Sequence, residues 1–77
     1  MYILDLTPQH SNRKSFYGKA KVIINDNGTV QLQSYNTLVC EIDEYNKFKM
    51  LWDGKSQTTT RHIKEFRQQF NDLIMEV

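Results

Sequence analysis

Apolar and polar residues alternate through the middle of the chain. The alternation begins at Phe16 and continues to Trp52, with most apolar residues at even positions. A period of two is typical of antiparallel strands that bury one face. The positions predicted to form that buried face are Phe16, Gly18, Ala20, Val22, Ile24, Val30, Leu32, Leu38, Cys40, Ile42, Phe48, Met50 and Trp52.

The alternation also predicts the lengths of two turns. Residues directly opposite each other in an antiparallel pair lie on the same face of the sheet. Three-residue loops at 26–28 and 44–46 satisfy this rule, with Gly28 and Asn46 in the left-handed position. The predicted cross-strand pairs are Ile24 with Val30, Val22 with Leu32, Ile42 with Phe48, and Cys40 with Met50.

Three other segments complete the predicted sheet. Residues 29–43 are too long for one ordinary strand, so we expect a bend, bulge or tight turn at 34–37. Residues 1–6 are apolar and short, which favours an edge strand. Residues 7–15 hold the only proline and several turn-forming residues, which indicates a loop.

A helical period follows the sheet. Ser56 and Thr58 are alternative N-caps, and the pattern predicts a helix from about Thr58 to the C-terminus. Its apolar stripe comprises Ile63, Phe66, Phe70, Leu73, Ile74 and Val77, with Thr59 in the same arc and His62 at the edge. We therefore expect one α+β domain over residues 1–77, an antiparallel β-meander of three to four strands packed by one C-terminal α-helix.

Composition excludes several classes of protein. Apolar residues make up 39% and charged residues 25% of the chain, which excludes disorder. The net charge of +1 excludes binding to nucleic acid by charge alone. The lone Cys40 forms no internal disulfide, the start of the chain lacks a signal-peptide pattern, and no apolar run has the length of a membrane span. We expect a cytoplasmic protein that does not contact membrane.

Candidate catalytic groups are sparse. No set of nucleophile, base and orienting residue is evident, and no His/Cys spacing resembles a metal site. Cys40 alternates with the apolar set, which favours a buried, inert thiol. We expect no enzymatic activity, no catalytic residues, no metal and no cofactor.

Two basic surfaces are candidates for binding. One is a flank of the helix with Arg61, Lys64 and Arg67. Arg61 falls near the predicted helix start, where the dipole disfavours a cation, so we expect either a carboxylate partner such as Asp53 or Glu41, or an anionic ligand. The second is the odd-numbered sheet face, with Tyr17, Lys19, Lys21, Tyr35, Lys47 and Lys49, together with Tyr45, Ile23, Val39 and Leu51.

The odd-numbered face has three interpretations. Tyrosines among lysines are typical of platforms for single-stranded nucleic acid. They are also typical of protein-binding faces and of homodimer interfaces. Alternatively, the N-terminal segment or the following loop covers the face.

A pattern of hydroxyl, aromatic and basic residues extends from the polar bend into the helix: Ser34, Tyr35, Thr37, Val39, Trp52, Gly54, Ser56, Thr58, Thr59, Arg61, His62, Ile63 and Phe66. It resembles a pattern in small uncharacterised proteins encoded by phages, plasmids and other mobile elements of Gram-positive bacteria. The resemblance implies a setting, the cytoplasm of a bacterial host cell, rather than an activity. It also implies that the polar bend and the helix start form one unit. We call this unit the polar latch; its predicted members are Ser34, Thr37, Ser56, Thr58, Thr59 and His62.

These observations predict a small non-enzymatic binding protein of a phage or other mobile element. Its expected partner is a host or phage protein. Domains of this size are found among inhibitors of host defence, such as anti-CRISPR proteins. The alternative is a single-stranded nucleic-acid-binding module that uses the Tyr/Lys face. A homodimer is a further alternative for the same face.

Overall fold

Five strands and one helix make up the described part of the chain. A computed structural model describes residues 1–6, 19–54 and 56–74. The elements are β1 (Tyr2–Asp5), β2 (Ala20–Ile24), β3 (Val30–Ser34), β4 (Thr37–Ile42), β5 (Phe48–Met50) and α1 (Gln57–Gln69). The strands form one open antiparallel sheet in chain order. The α+β class and the meander are confirmed, with five strands where three to four were expected.

The two three-residue turns are confirmed. In the loop at 26–28, Gly28 has φ 94° and the backbone N–H of Asn25 donates to the carbonyl of Thr29 at 2.9 Å. In the loop at 44–46, Asn46 has φ 64°. The resulting register contains all four predicted cross-strand pairs, including Val22 with Leu32 and Cys40 with Met50.

A tight turn accounts for one of the additional strands. Residues 35–36 join β3 to β4, and Ser34 lies opposite Thr37 across the turn. Tyr35 takes a φ of 56°, a left-handed conformation that tight hairpins require at one or both central positions. The expectation of a bend, bulge or tight turn at 34–37 is therefore confirmed, and the turn divides the long segment into two strands.

A β-bulge in β4 changes which residues are buried. Leu32 lies opposite Cys40, whereas its neighbour Gln33 lies opposite Leu38, which leaves Val39 as the extra residue. One extra residue reverses the alternation of faces beyond it. The prediction that Leu38 is buried and Val39 lies on the opposite face is therefore wrong: Leu38 is exposed and Val39 is buried.

The predicted edge strand is confirmed at the start of the chain. β1 pairs antiparallel with β2, and Ile3 lies opposite Ile23. The predicted loop at 7–15 and the predicted strand residues 16–18 lie outside the described residues.

The helix begins at the first of the two expected caps. The Ser56 hydroxyl accepts a hydrogen bond from the backbone N–H of Thr59 at 3.2 Å. The expected continuation to the C-terminus is wrong, because Phe70 leaves the helical conformation and 71–73 form a turn. Asn71 and Asp72 favour this ending, since short polar side chains compete for backbone hydrogen bonds. Val77 lies outside the described residues.

The helix covers the even-numbered face of the sheet. Phe66 is fully buried among the strand residues Ala20, Val22, Val30, Leu32, Val39, Cys40 and Ile42, together with Leu6. The buried positions of α1 are Thr59, His62, Glu65 and Phe66. The buried face of the helix is thus shifted from the predicted apolar stripe toward its polar edge, where His62 and Glu65 lie. Leu73, which belongs to the predicted stripe, is exposed. No helix in residues 1–6, 19–54 and 56–74 is long and apolar enough to cross a membrane.

Candidate functional site

A buried polar cluster joins the end of β3 to the helix. The Ser34 hydroxyl lies 2.9 Å from the Thr59 hydroxyl and 2.8 Å from Nδ1 of His62. Thr59 and His62 lie one turn apart on α1, so both side chains point toward β3. All three side chains are buried. The cluster satisfies these polar atoms where water does not reach them, which is what burial of polar groups requires.

Tyr35 lies over this cluster at the surface. Its ring centroid is 6.0 Å from that of His62, with the planes inclined at 43°. His62 has no exposed surface, whereas about half of Tyr35 is exposed. The left-handed turn that follows Ser34 therefore places an aromatic ring beside the imidazole.

The other predicted members of the polar latch occupy different environments. Ser56 caps the helix start, and its backbone carbonyl accepts from the Thr60 hydroxyl at 2.7 Å. Thr37 is exposed and Thr58 is half-buried. Neither of these two threonines forms a hydrogen bond with the Ser34 cluster. The structure thus brings together three of the six predicted residues, with Ser56 at the adjoining helix start.

Glu65 is a buried residue that was not predicted as a site residue from the sequence. Its side chain is 3% exposed and accepts a hydrogen bond from Nε2 of Gln69 at 2.9 Å. The available signal was its spacing, since Glu65 lies three residues after His62, on a neighbouring position of the helix surface.

Cys40 is unsuited to nucleophilic chemistry. The thiol is fully buried beneath the helix. Burial raises its pKa to about 12, an effect that the positive charge of Arg67 offsets only in part. The thiolate is the reactive form of cysteine, so this thiol remains protonated and unreactive.

The tyrosines predicted to share one sheet face lie in turns. Tyr35 is in the β3–β4 turn and Tyr45 in the β4–β5 turn. These turns are at opposite ends of β4, which spans about 20 Å at ~3.3 Å per residue. Tyr17 lies outside the described residues. The predicted platform of interleaved tyrosines and lysines is therefore not assembled by the described residues.

The lysines of the same face lie beside carboxylates. Lys21 pairs across strands with Asp5, and Lys49 pairs with Glu41. Lys49 also approaches Asp43, with Nζ and Oδ2 3.3 Å apart. Lys19 and Lys47 are exposed beside the strand ends. Opposite charges in adjacent positions reduce the positive potential that a phosphate backbone needs.

Asp43 also organises the β4–β5 turn. Its Oδ1 accepts hydrogen bonds from the backbone N–H groups of Tyr45 and Lys47, both at 2.9 Å. These bonds, led by that from Lys47, lower the pKa of Asp43 below its ordinary value of 3.8 despite partial desolvation. Its role is local and structural.

The basic side of α1 lines an open groove. One depression, of about 560 Å³, is lined by Thr60, Ile63, Lys64, Arg67, Gln68 and Asn71. A second, of about 450 Å³, is lined by Gly54, Ser56, Gln57, Thr60 and Arg61. Both include Thr60, so they follow one side of the helix, and we call them together the α1 groove. Among the described lining residues the charges are all positive.

Two arginines of the groove differ in their surroundings. Arg67 lies over the Phe48 ring, with Cζ 4.6 Å from the ring centroid, a cation–π arrangement that fixes its position. Arg61 is the fifth residue of α1, just past the first turn, where the dipole effect has decreased. The expected ion pair of Arg61 with Asp53 or Glu41 is not formed in the structure.

Metal binding has no support in the described part of the chain. No group of three or more His, Cys, Asp or Glu side chains there has the arrangement of a metal site. His10 lies outside the described residues.

Comparison with known families places the chain in one of them. A model of a family of unknown function, DUF8033, matches residues 4–75, and the chain belongs to this family. The match includes the N-terminal third, which the resemblance drawn from residues 34–66 did not cover. No curated protein matches the chain, and no solved structure matches it.

Proposed function

We propose that this chain is a non-enzymatic binding domain that contacts an acidic surface of a partner protein through the α1 groove. The observation that supports the proposal is the charge of the groove. Arg61, Lys64 and Arg67 follow one side of the helix, and the described lining contains no carboxylate. Complementary charge steers association and selects partners at protein interfaces.

The composition of the groove favours a protein partner over nucleic acid. Ile63 supplies an apolar patch between the basic side chains, and the described lining contains no aromatic ring for base stacking. On the sheet face that was the alternative site, Lys21 and Lys49 have carboxylates beside them. Both features weigh against the nucleic-acid-binding alternative.

Burial of the Ser–His pair supports a non-enzymatic role. A serine hydroxyl 2.8 Å from an imidazole is the spacing of a nucleophile with its base. However, Ser34 and His62 are buried, and neither lines the α1 groove. A substrate at that surface would not reach the pair.

The resemblance to phage and plasmid proteins supplies the proposed setting. In that setting the chain is a protein of a mobile element that acts in the bacterial cytoplasm on a host or phage protein. Inhibition of a host defence system, as by anti-CRISPR proteins, is the form of action that suits a domain of this size. The likeness to such inhibitors is one of size and setting.

A matched pair of charge reversals tests the proposal. Lys64→Glu reverses a charge in the groove, and Lys47→Glu reverses one at the β4–β5 turn; both lysines are exposed. We expect Lys64→Glu to reduce capture of a protein partner from nuclease-treated Gram-positive lysate at least tenfold, with Lys47→Glu close to wild type. Equal loss in both variants, or capture that nuclease abolishes, would contradict the proposal.

A further inference from the structure

The free edge of β1 is apolar and exposed. Tyr2, Ile3 and Leu4 are 70%, 57% and 53% exposed. β1 forms one edge of the sheet, with β2 on its other side. An exposed apolar edge strand is a template for pairing with another strand unless charges or a covering segment protect it. The only charged side chain within Tyr2–Asp5 is that of Asp5.

The backbone of this edge has free groups in known positions. The N–H of Leu6 donates to the carbonyl of Ala20 at 2.9 Å, in register with the β1–β2 pairs. Hydrogen-bonded pairs alternate along an antiparallel ladder, so the even-numbered residues of β1 bond to β2. The N–H and C=O groups of Ile3 and Asp5 therefore point away from β2, and no described residue bonds to them.

Only certain registers allow two copies of this edge to pair with each other. A two-fold axis perpendicular to the sheet keeps the faces aligned, so odd residues must oppose odd residues. The register with Ile3 opposite the second copy's Ile3 meets this condition. In it, the free N–H and C=O groups of the two Ile3 residues form hydrogen bonds with each other. Tyr2 then opposes the second copy's Leu4. Moving the two-fold axis from Ile3 to Leu4 places Asp5 opposite the second copy's Ile3. Moving it to Asp5 places the two Asp5 side chains opposite each other.

We propose that the β1 edge is a homodimer interface in which two copies pair antiparallel with Ile3 on the two-fold axis. On the face of the sheet away from the helix, four isoleucines form a row across the interface. Ile23 and Ile3 of one copy are followed by Ile3 and Ile23 of the other, since Ile3 and Ile23 lie opposite each other within each copy. On the helix side, Tyr2 and Leu4 cover each other. The charged Asp5 side chains lie away from each other, at the two ends of the paired segment.

The opposite edge of the sheet is less suited to pairing. β5 spans three residues, Phe48–Met50, with Lys47 and Lys49 at and beside it. Lysines on an edge strand are a common protection against pairing. Pairing of β1 with β5 of the next copy would also give an open filament rather than a closed dimer. The symmetric β1 pairing closes, and it places both α1 grooves on one side of the combined sheet.

Sedimentation velocity over a concentration series tests the interface. A four-residue edge gives a small interface, so we expect a monomer–dimer equilibrium in the micromolar range, about 1–100 µM. Ile3→Pro removes an outward N–H that bonds to no described residue, a change tolerated on edge strands. We expect it to weaken dimerisation at least tenfold. Met50→Lys, at the other edge, is the matched control and leaves dimerisation unchanged.

Cysteine cross-linking tests the register without relying on the fold of the proline variant. Ile3→Cys places two thiols on the two-fold axis, within disulfide distance for residues opposite each other in a sheet. Asp5→Cys does not. We expect a covalent dimer from Ile3→Cys alone under mild oxidation. A wild-type chain that stays monomeric at several hundred micromolar, or oligomers that Met50→Lys disperses, would overturn the proposal. Lys64→Glu leaves the dimer intact, so failure here is distinct from failure of the α1 groove.

Discussion

Ser34 connects the sheet to the helix through hydrogen bonds inside the core. Its single hydroxyl contacts both Thr59 and His62. Each such bond contributes modestly to stability, but loss of the Ser34 hydroxyl removes one hydrogen bond from each of the two buried groups it contacts. The cluster therefore stabilises one specific docking of α1 on β3, whereas apolar contacts alone tolerate small shifts of a helix.

The Ser34→Ala variant tests this role. Removal of the hydroxyl leaves Nδ1 of His62 and the Thr59 hydroxyl without this partner, so we expect a loss of about 1–3 kcal/mol in the free energy of unfolding. Urea denaturation followed by circular dichroism measures it. Thr37→Ala is the control, because Thr37 is exposed beside the same turn, and its effect should stay within about 0.5 kcal/mol. Equal effects of the two variants would contradict the structural role of the cluster.

Asp43 makes stability depend on pH in the acid range. Its pKa is lower in the folded chain than its ordinary value of 3.8, so the unfolded state binds the proton more readily. The stabilisation provided by the ionised carboxylate is complete above the ordinary pKa of 3.8 and is lost as the pH falls through the lower folded pKa. Asp43→Asn retains an oxygen that accepts from Tyr45 and Lys47 but does not titrate. We expect a smaller loss of stability below pH 4 in this variant, measured by denaturation at several pH values; an unchanged acid dependence would contradict the assignment.

Single residues show which parts of the site the sequence predicts. Gly28 and Asn46 were predictable because a left-handed turn position favours glycine and asparagine. Tyr35 was not predicted there, since its side chain has no special preference for that conformation. The burial of Glu65 was not predicted either, because a charged residue is expected on the surface unless its hydrogen-bond partners are known.

Among the strands and the helix, the pattern predicts where strands and turns occur better than it predicts which face of the sheet each residue occupies. The two loops follow from alternation alone. The bulge at Val39 does not, because Leu38, Val39 and Cys40 are all apolar and the sequence does not show which of them is the extra residue. The helix end at Gln69 was missed because apolar residues continue at helical spacing through Phe70, Leu73 and Ile74.

Phe66 and Phe70 provide a test of the helix packing. Phe66 is fully buried and Phe70 partly so, with ring centroids 4.9 Å apart. We expect Phe66→Ala to destabilise the fold by about 3–5 kcal/mol and Phe70→Ala by clearly less. Thermal denaturation of both variants measures the difference. Unchanged melting with Phe66→Ala would show that α1 does not pack on the sheet.

Gly54 permits the close approach of the only tryptophan. A Cβ at this position would lie 2.6 Å from the Trp52 ring, so Gly54→Ala must displace the indole. We expect a shift in the intrinsic fluorescence of Trp52 and a loss of about 1–3 kcal/mol in stability. Asp53→Ala is the neighbouring control. Wild-type fluorescence from Gly54→Ala would contradict this packing.

In the whole molecule, the α1 groove and the β1 edge are two of the surfaces that the described residues leave outside the core. The α1 groove is basic, and the β1 edge is apolar with free backbone groups. They lie on different elements, so one can bind a partner protein while the other joins two copies. Two grooves on one side of a dimer would raise the effective affinity for a partner with repeated acidic sites.

Site-specific photo-cross-linking distinguishes the α1 groove from the outer face of the sheet as the surface that binds a partner. A photoreactive residue at Gln68 lies in the α1 groove, and one at Gln33 lies on the outer face of the sheet. In nuclease-treated lysate, we predict a covalent adduct with a protein from position 68 and none from position 33. An adduct only from position 33, or a cross-link to nucleic acid in untreated lysate, would contradict the assignment of the α1 groove as the binding surface.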